Sequence, residues 1–331
     1  MKPAVLICRR VFPETVERLR AAFDVATNDD DAVWSRDELM RRATGVQGLF
    51  VTGTEPIDAA FLDAVPTLRA VCSMAVGYNN IDVDACTARG VVVSNAPGVL
   101  TETTADFGFA LLMAAARRVG ESERFLRRGD WSRWSVDLFA GADLHGSTLG
   151  VLGMGRIGGG VARRGALGFG MPVLYHNRSR LPEAEERALG ARLVDKATLF
   201  RESDHVVVVV PYSAASHHLV AAAELAEMKP GATLVNIARG GVVDDAALAA
   251  ALRSGPLGAA GLDVFEGEPA VHPELLACEN AVLTPHIASS SLPTRRAMAA
   301  LAASNLLGAL TGGEMPTPLN GEALAMRSRP A

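Results

Sequence analysis

The chain is poor in cysteine: four in 331 residues, at positions 8, 72, 86 and 278. They are scattered, and no CxxC pair exists, so neither a disulfide framework nor a cysteine zinc site is suggested. Free thiols fit a reducing compartment. Neither sign of charge is in large excess, with 32 Lys and Arg against 37 Asp and Glu and a net charge of −5. That leaves no electrostatic footprint for nucleic acid or an anionic membrane; any anion must be held by a local basic site. Long apolar runs are lacking too. "HVVVVVP" is far too short to span a bilayer. "MKPAVLICRRVF" has a short apolar run before two arginines and reads as a strand rather than a signal peptide. A cytoplasmic protein is expected. No solenoid-period repeat and no low-complexity tract is present.

One further absence is local. Residues 173–180 read "VLYHNRSR" and follow the glycine-rich loop "GMGRIG". Dinucleotide-binding proteins usually carry an acidic residue at about this distance. Here there is no Asp or Glu, but Asn177, Arg178, Ser179 and Arg180.

The composition is otherwise ordinary for a globular chain, with 49% hydrophobic and 21% charged residues, and the length suits two domains. Short apolar runs alternate with amphipathic stretches. In the first hundred residues the runs are "AVLIC", "GLFVTG", "LRAVCSM" and "VVVSN", separated by segments such as "PETVERLRAAF" and "IDAAFLDAV". This alternation predicts a parallel sheet with helices on its faces. A long helix is predicted from "TETTADFGFALLMAAARR", with Thr101 as its N-cap. A second alternating region supplies the strands "TLGVLG", "PVLYHN", "HVVVVV", "TLVNIA", "GAAGLDV" and "AVLTPH". The helix "LPTRRAMAALAASNLLGAL" is left over after that sheet and is expected to pack back on the first domain. The Pro-rich end, "MPTPLNGEALAMRSRPA", reads as irregular. Between the two regions a polar stretch carries Trp131 and Trp134. Two large aromatics on a polar loop favour an arm that covers a partner subunit or a site over a plain connector.

"TLGVLGMGRIGGGVARR" holds G-x-G-x-x-G at Gly153, Gly155 and Gly158, after a strand-like run and before a helix-like run. That context gives the motif its meaning. Gly153 allows the tight turn, Gly155 lets a pyrophosphate approach the backbone, and Gly158 lets helix and strand pack closely. The free N–H groups at the helix start face the phosphates. The alternative is a βα turn that binds nothing. Gly159 and Gly160 each weaken the helix by about 1 kcal/mol relative to alanine.

Three side chains then follow predicted strands: Arg239 in "NIARGGVVDD", Glu268 in "GLDVFEGEP" and His286 in "VLTPHIAS". Carboxyl ends of parallel strands are where open α/β sheets bind ligands. Arginine grips a carboxylate with a two-pronged fork. Histidine is the usual proton donor at neutral pH, and a glutamate beside it holds its ring. Together they suit protonation of a carbonyl in a carboxylate-bearing substrate while a nicotinamide delivers hydride. Singly, each has a plainer reading: a surface pair with Asp244 and Asp245, a turn residue before Pro269, or a cap on a strand end.

The order of "GMGRIG", "NIARGGVVDDAAL", "GLDVFEGEP" and "TPHIAS" resembles the D-isomer-specific 2-hydroxyacid dehydrogenase family over nearly the whole chain. "SMAVGYNNIDVDAC", "APGVLTETTAD" and "GFGMPVLYHNR" resemble more narrowly the glyoxylate/hydroxypyruvate and 2-ketogluconate reductases. The resemblance implies two Rossmann-like or flavodoxin-like domains: a discontinuous substrate domain, 1–100 with 288–331, and an inserted dinucleotide domain, 101–287. It implies His286 as acid/base, Glu268 as its partner and Arg239 as carboxylate anchor. It implies substrate contacts from the backbone of Val76 and Gly77. For the cofactor it points to Thr104, Arg156, Ile157, Pro211, Ile237, Ala238, Arg239, Asp263, His286 and Ala288, besides the glycines and Asn177 to Ser179. A homodimer is also implied. With no acid after "VLYH", Arg178 can pair with a 2′-phosphate, Ser179 can donate a hydrogen bond to it, Arg180 adds positive field and Asn177 can bond the ribose without repulsion, so NADP(H) is expected over NAD(H). The rival from another class is a dinucleotide-sensing protein resembling the superfamily's transcriptional corepressors. The chain shows no disordered flank or basic patch for such a role.

Overall fold

The computed structural model describes residues 1–323. It divides into two compact units. One comprises Met1–Leu100 with the chain from Ser291 on, and the other is Thr101–Ser290. The sequence boundary of 287/288 falls three residues before this division.

The first unit holds five parallel strands: β1 (Ala4–Ile7), β2 (Asp24–Ala26), β3 (Gly48–Val51), β4 (Ala70–Ser73) and β5 (Val92–Ser94). Their order is β2-β1-β3-β4-β5. Helices cover both faces, so the central strands are apolar throughout rather than alternating. Phe61, Leu62, Leu49, Val51, Val71 and Val93 build the core on one side. The helix Leu292–Thr311, capped by Ser291, packs on the other side with the helix Pro13–Ala22. Gly48 keeps the contact close there: a Cβ would stand 2.8 Å from the Cδ1 atoms of Leu306 and Leu310, which would have to shift. The segment after that helix is irregular but tied down. Asn320 accepts the Val93 N–H at 2.7 Å, and Leu319 N–H donates to Val93 O. The rest of the tail lies outside the described residues.

The second unit holds seven parallel strands: β6 (Leu149–Leu152), β7 (Val173–His176), β8 (Ala191–Leu193), β9 (His205–Val208), β10 (Thr233–Asn236), β11 (Ala259–Leu262) and β12 (Ala281–Leu283). The order β12-β11-β10-β9-β6-β7-β8 is doubly wound and reverses between β6 and β9. The long helix spans Thr101–Ala116, so Thr101 is its first residue rather than its cap. It packs on one face with Leu149, Val151, Val207 and Val235. Leu152, Val206, Val208, Leu234 and Leu262 face the opposite core. Because the order reverses beside β6, its carboxyl end opens on a crevice, and the glycine loop starts there. No described helix is long and apolar enough to cross a membrane.

Candidate active site

The glycine loop is shaped by sterics that only glycine meets. Gly153 follows β6 at φ +102°, and a Cβ on it would lie 2.9 Å from the backbone of Val209 and Val210. Gly158 sits under the turn, where a Cβ would come 2.1 Å from Gly153 O. Gly155, the cap of the helix Arg156–Arg163, has open space where its Cβ would be. The helix start therefore faces a backbone cradle, flanked by exposed Arg156 and half-buried Ile157. A Cβ on Gly160 would come 2.8 Å from Ala105 Cβ; nothing in the structure explains Gly159.

The basic turn after β7 splits into different jobs. Asn177 Oδ1 accepts the Met154 N–H at 2.7 Å, and its Nδ2 donates to Met154 O at 3.3 Å. The amide thus holds the glycine loop itself. Arg180 forks onto Glu186, a buried carboxylate that also accepts the Tyr175 hydroxyl. That pair, with Tyr175, holds Glu186 below the usual carboxylate range. Arg180, though exposed, is therefore engaged by Glu186. Arg178 and Ser179 are exposed and have no partner among the described residues.

The three acid, base and anchor candidates lie in the loops after β10, β11 and β12. His286 Nδ1 donates to Glu268 Oε2 at 2.7 Å. Glu268 Oε1 accepts the Phe265 N–H at 2.9 Å. Burial pushes the Glu268 carboxyl up, yet the bond and charge of His286, the Phe265 N–H and the Arg239 charge outweigh it and hold it below its ordinary value. It stays an acceptor, which fixes the proton of His286 Nδ1 toward it and leaves Nε2 without a partner among the described residues. Arg239 is half buried, donates to Ala238 O at 3.1 Å and forms no ion pair among the described residues. Burial draws its pKa down, against the pull of Glu268 and Asp263. A desolvated guanidinium without a carboxylate partner is suited to take one from a ligand.

Asp263 does more than the sequence suggested. It is 1% exposed. Its Oδ1 accepts the Thr284 hydroxyl at 2.7 Å and the Ile287 N–H at 2.8 Å; its Oδ2 accepts the Ala288 N–H at 2.8 Å. These bonds bracket His286, whose φ is +53°, a left-handed conformation that costs a non-glycine residue about 1–3 kcal/mol. Asp263 is thus a positioning residue, and the Ala288 N–H is already engaged. Ala238 N–H is likewise held by Asn236 Oδ1, and Ile237 N–H by Val208 O. Pro211 is exposed after β9. Thr104 is 5% exposed, and its Oγ1 has no hydrogen-bond partner among the described residues. In the first unit, the N–H groups of Val76 and Gly77 have no acceptor among the described residues, while Asn95 Nδ2 holds Val76 O at 2.7 Å.

Residues 109–288 match the family described as D-isomer specific 2-hydroxyacid dehydrogenase, NAD binding domain. The glyoxylate reductase of Thermococcus onnurineus is 45% identical over 99% of this chain and 98% of its own.

The chain belongs to the D-isomer-specific 2-hydroxyacid dehydrogenase family.

Solved structures agree. A protein from Thermus thermophilus superposes with a TM-score of 0.88 at 41% identity, covering 96% of this chain and 99% of that one. The NADPH-dependent glyoxylate/hydroxypyruvate reductase of Sinorhizobium meliloti, in complex with NADP and malonate, gives 0.84 at 35% identity over 96% and 97%. The dehydrogenase is therefore an oxidoreductase whose second unit binds a nicotinamide dinucleotide. The residues fit that group: an open cradle at Gly155, close packing at Gly158 and an orphaned buried hydroxyl on Thr104. Sequence reasoning missed the tether from Asn177 to the glycine loop and the engagement of Arg180. The only signals were a polar residue just past β7 and a Glu six residues after the arginine.

Proposed function

We propose that this dehydrogenase reduces a small 2-keto acid (glyoxylate, hydroxypyruvate or 2-ketogluconate) to the D-2-hydroxy acid, with NADPH preferred over NADH. The observation that carries the chemistry is the His286–Glu268 pair, which leaves Nε2 of His286 free to hold a proton. The bound dinucleotide supplies the hydride. Arg239, which forms no ion pair among the described residues, holds the substrate carboxylate and orients the carbonyl. His286 Nε2 gives its proton to the carbonyl oxygen, and the bond from Nδ1 to Glu268 Oε2 holds the ring in place. For the first unit, the free N–H groups of Val76 and Gly77 are further donors suited to a carboxylate.

The cofactor preference is supported by the turn after β7. It has no carboxylate to repel a 2′-phosphate, and its Arg178 and Ser179 lack competing partners among the described residues. The Sinorhizobium relative, whose description names NADPH, is in keeping with this reading. A homodimer fits Trp131, Trp134 and Val136, which are 56%, 75% and 86% exposed on the arm. A cytoplasmic location fits four buried free thiols. The test is His286→Ala. Turnover should fall about 100- to 10,000-fold, the usual worth of general acid catalysis, while cofactor affinity by fluorescence titration stays unchanged. Near-normal turnover would mean that the proton comes from elsewhere.

A further inference from the structure

We propose that His217, His218 and Glu266 form a binding site for a first-row transition-metal dication, with Zn2+ as the probe. Their ligand atoms lie within 4.8 Å of one another. The centre of a triangle with 4.8 Å sides is about 2.8 Å from each corner (4.8/√3). Zinc sits at about 2.0–2.2 Å from nitrogen and oxygen ligands. Each atom thus moves inward by no more than about 0.8 Å, within reach of χ rotation for the exposed His217 and Glu266. Two imidazoles and one carboxylate are a donor set that zinc, nickel and cobalt accept and that magnesium and calcium disfavour.

The surroundings are built as a metal site requires. His218 Nε2 lies 2.9 Å from Glu266 Oε2, while its other ring nitrogen faces Asp244 Oδ2 at 3.9 Å. At 3.9 Å the Asp244 carboxylate makes no hydrogen bond to the ring and acts through its charge alone, favouring a cation on the far side. His217 stacks on His218 with ring centroids 3.9 Å apart, so exposed His217 must turn its ring out of the stack, away from the Tyr212 hydroxyl 3.3 Å from its Nδ1, to aim a lone pair at the ion. Glu266 is fixed through its own N–H, which donates to buried Asp245 at 3.0 Å. The acidic groups Asp244, Asp245 and Glu266 make the spot attractive to a cation. The four thiols, all buried, do not compete.

The position gives the ion a consequence. His217 and His218 follow β9 and Glu266 follows β11, while His218 N–H donates to Gly241 O in the loop after β10. An ion therefore ties together the loops that carry Arg239 and Glu268. Isothermal titration of the full chain with Zn2+, alongside thermal melts, tests this without reference to activity. The wild type should bind one Zn2+ per chain and melt higher with it. His217→Ala and Glu266→Gln should each weaken binding at least about tenfold and abolish the thermal gain. His218→Asn, which tolerates the left-handed backbone at φ +49°, should do the same and fold normally. Glu268→Gln should bind Zn2+ like the wild type. The proposal is overturned by no saturable binding up to millimolar Zn2+, by unchanged binding in His217→Ala and Glu266→Gln, or by binding lost in Glu268→Gln alone.

Discussion

Asp263→Asn tests how His286, the proposed proton donor, is held in place. The substitution keeps shape and volume and changes one oxygen to an amide nitrogen. Oδ1 of Asp263 takes two donors, Thr284 Oγ1–H and Ile287 N–H, and Oδ2 takes the Ala288 N–H. The asparagine keeps more bonds by leaving its oxygen at the Oδ1 position. Its NH2 then faces the Ala288 N–H, donor against donor, in a place that is 1% exposed. An orphaned buried donor costs about 1–3 kcal/mol. The left-handed backbone of His286 costs a similar amount, about 1–3 kcal/mol, and relaxes when the clamp weakens. Turnover at saturating cofactor should therefore fall between about fivefold and a hundredfold, at roughly 1.4 kcal/mol per decade. A unit of this size loses about 2–4 °C in Tm per kcal/mol, so the melt should drop by about 2–12 °C. The assays are steady-state reduction of a 2-keto acid and scanning fluorimetry on the same preparation. A kcat within twofold of wild type with an unchanged Tm refutes the clamp.

The two arginines after β7 should behave differently. Arg178→Ala should lower kcat/KM for NADPH by about tenfold to a hundredfold, the worth of a charged hydrogen bond discounted toward its lower end by exposure, and leave NADH within about twofold. Arg180→Ala should spare both cofactors but lower the Tm, because buried Glu186 loses its cation; equal effects of the two variants on NADPH would contradict this division. The pH dependence of Glu268 follows from its depressed pKa: the stability of its ionised form is present above the ordinary carboxylate value and lost as pH falls through the lowered folded value. The Tm advantage of wild type over Glu268→Gln should persist at pH 5 and vanish only below about pH 4.3. A collapse already between pH 6 and 5 would show that the carboxyl is not held low.

The strands in the apolar runs were legible because both faces of a parallel sheet are buried and each run is continuous. Two strands escaped, β2 and β8. Each is three residues long, lies at a sheet edge and is partly exposed, so it carries no apolar signature. Gly153 and Gly158 were legible from spacing, since a turn and a close approach each demand the missing Cβ. The loop order of Arg239, Glu268 and His286 was legible from motif and resemblance. The partners of polar side chains were not. "HNRSR" reads as one basic patch, yet Asn177 faces Met154 and Arg180 faces Glu186. Which of several nearby polar groups pair depends on the twist of β7 and the start of the next helix, and composition says nothing of either. The same holds for Asp263, where both oxygens turn toward the loop after β12. The pairing of His218 with Glu266, 48 residues apart, exists only because β9 and β11 flank β10.

The proposed activity is reduction of small 2-keto acids by an enzyme that distinguishes the two nicotinamide cofactors. The most direct measurement is kcat/KM of the wild-type chain for glyoxylate, hydroxypyruvate and 2-ketogluconate, with NADPH and with NADH. At least one of these acids should be turned over, with a preference for NADPH of about tenfold or more, corresponding to about 1.4 kcal/mol at Arg178. NADH used as well as NADPH would reduce the segment after β7 to a plain basic turn. Slow turnover of every acid, with tight cofactor binding, would contradict the catalytic reading itself and favour a dinucleotide sensor.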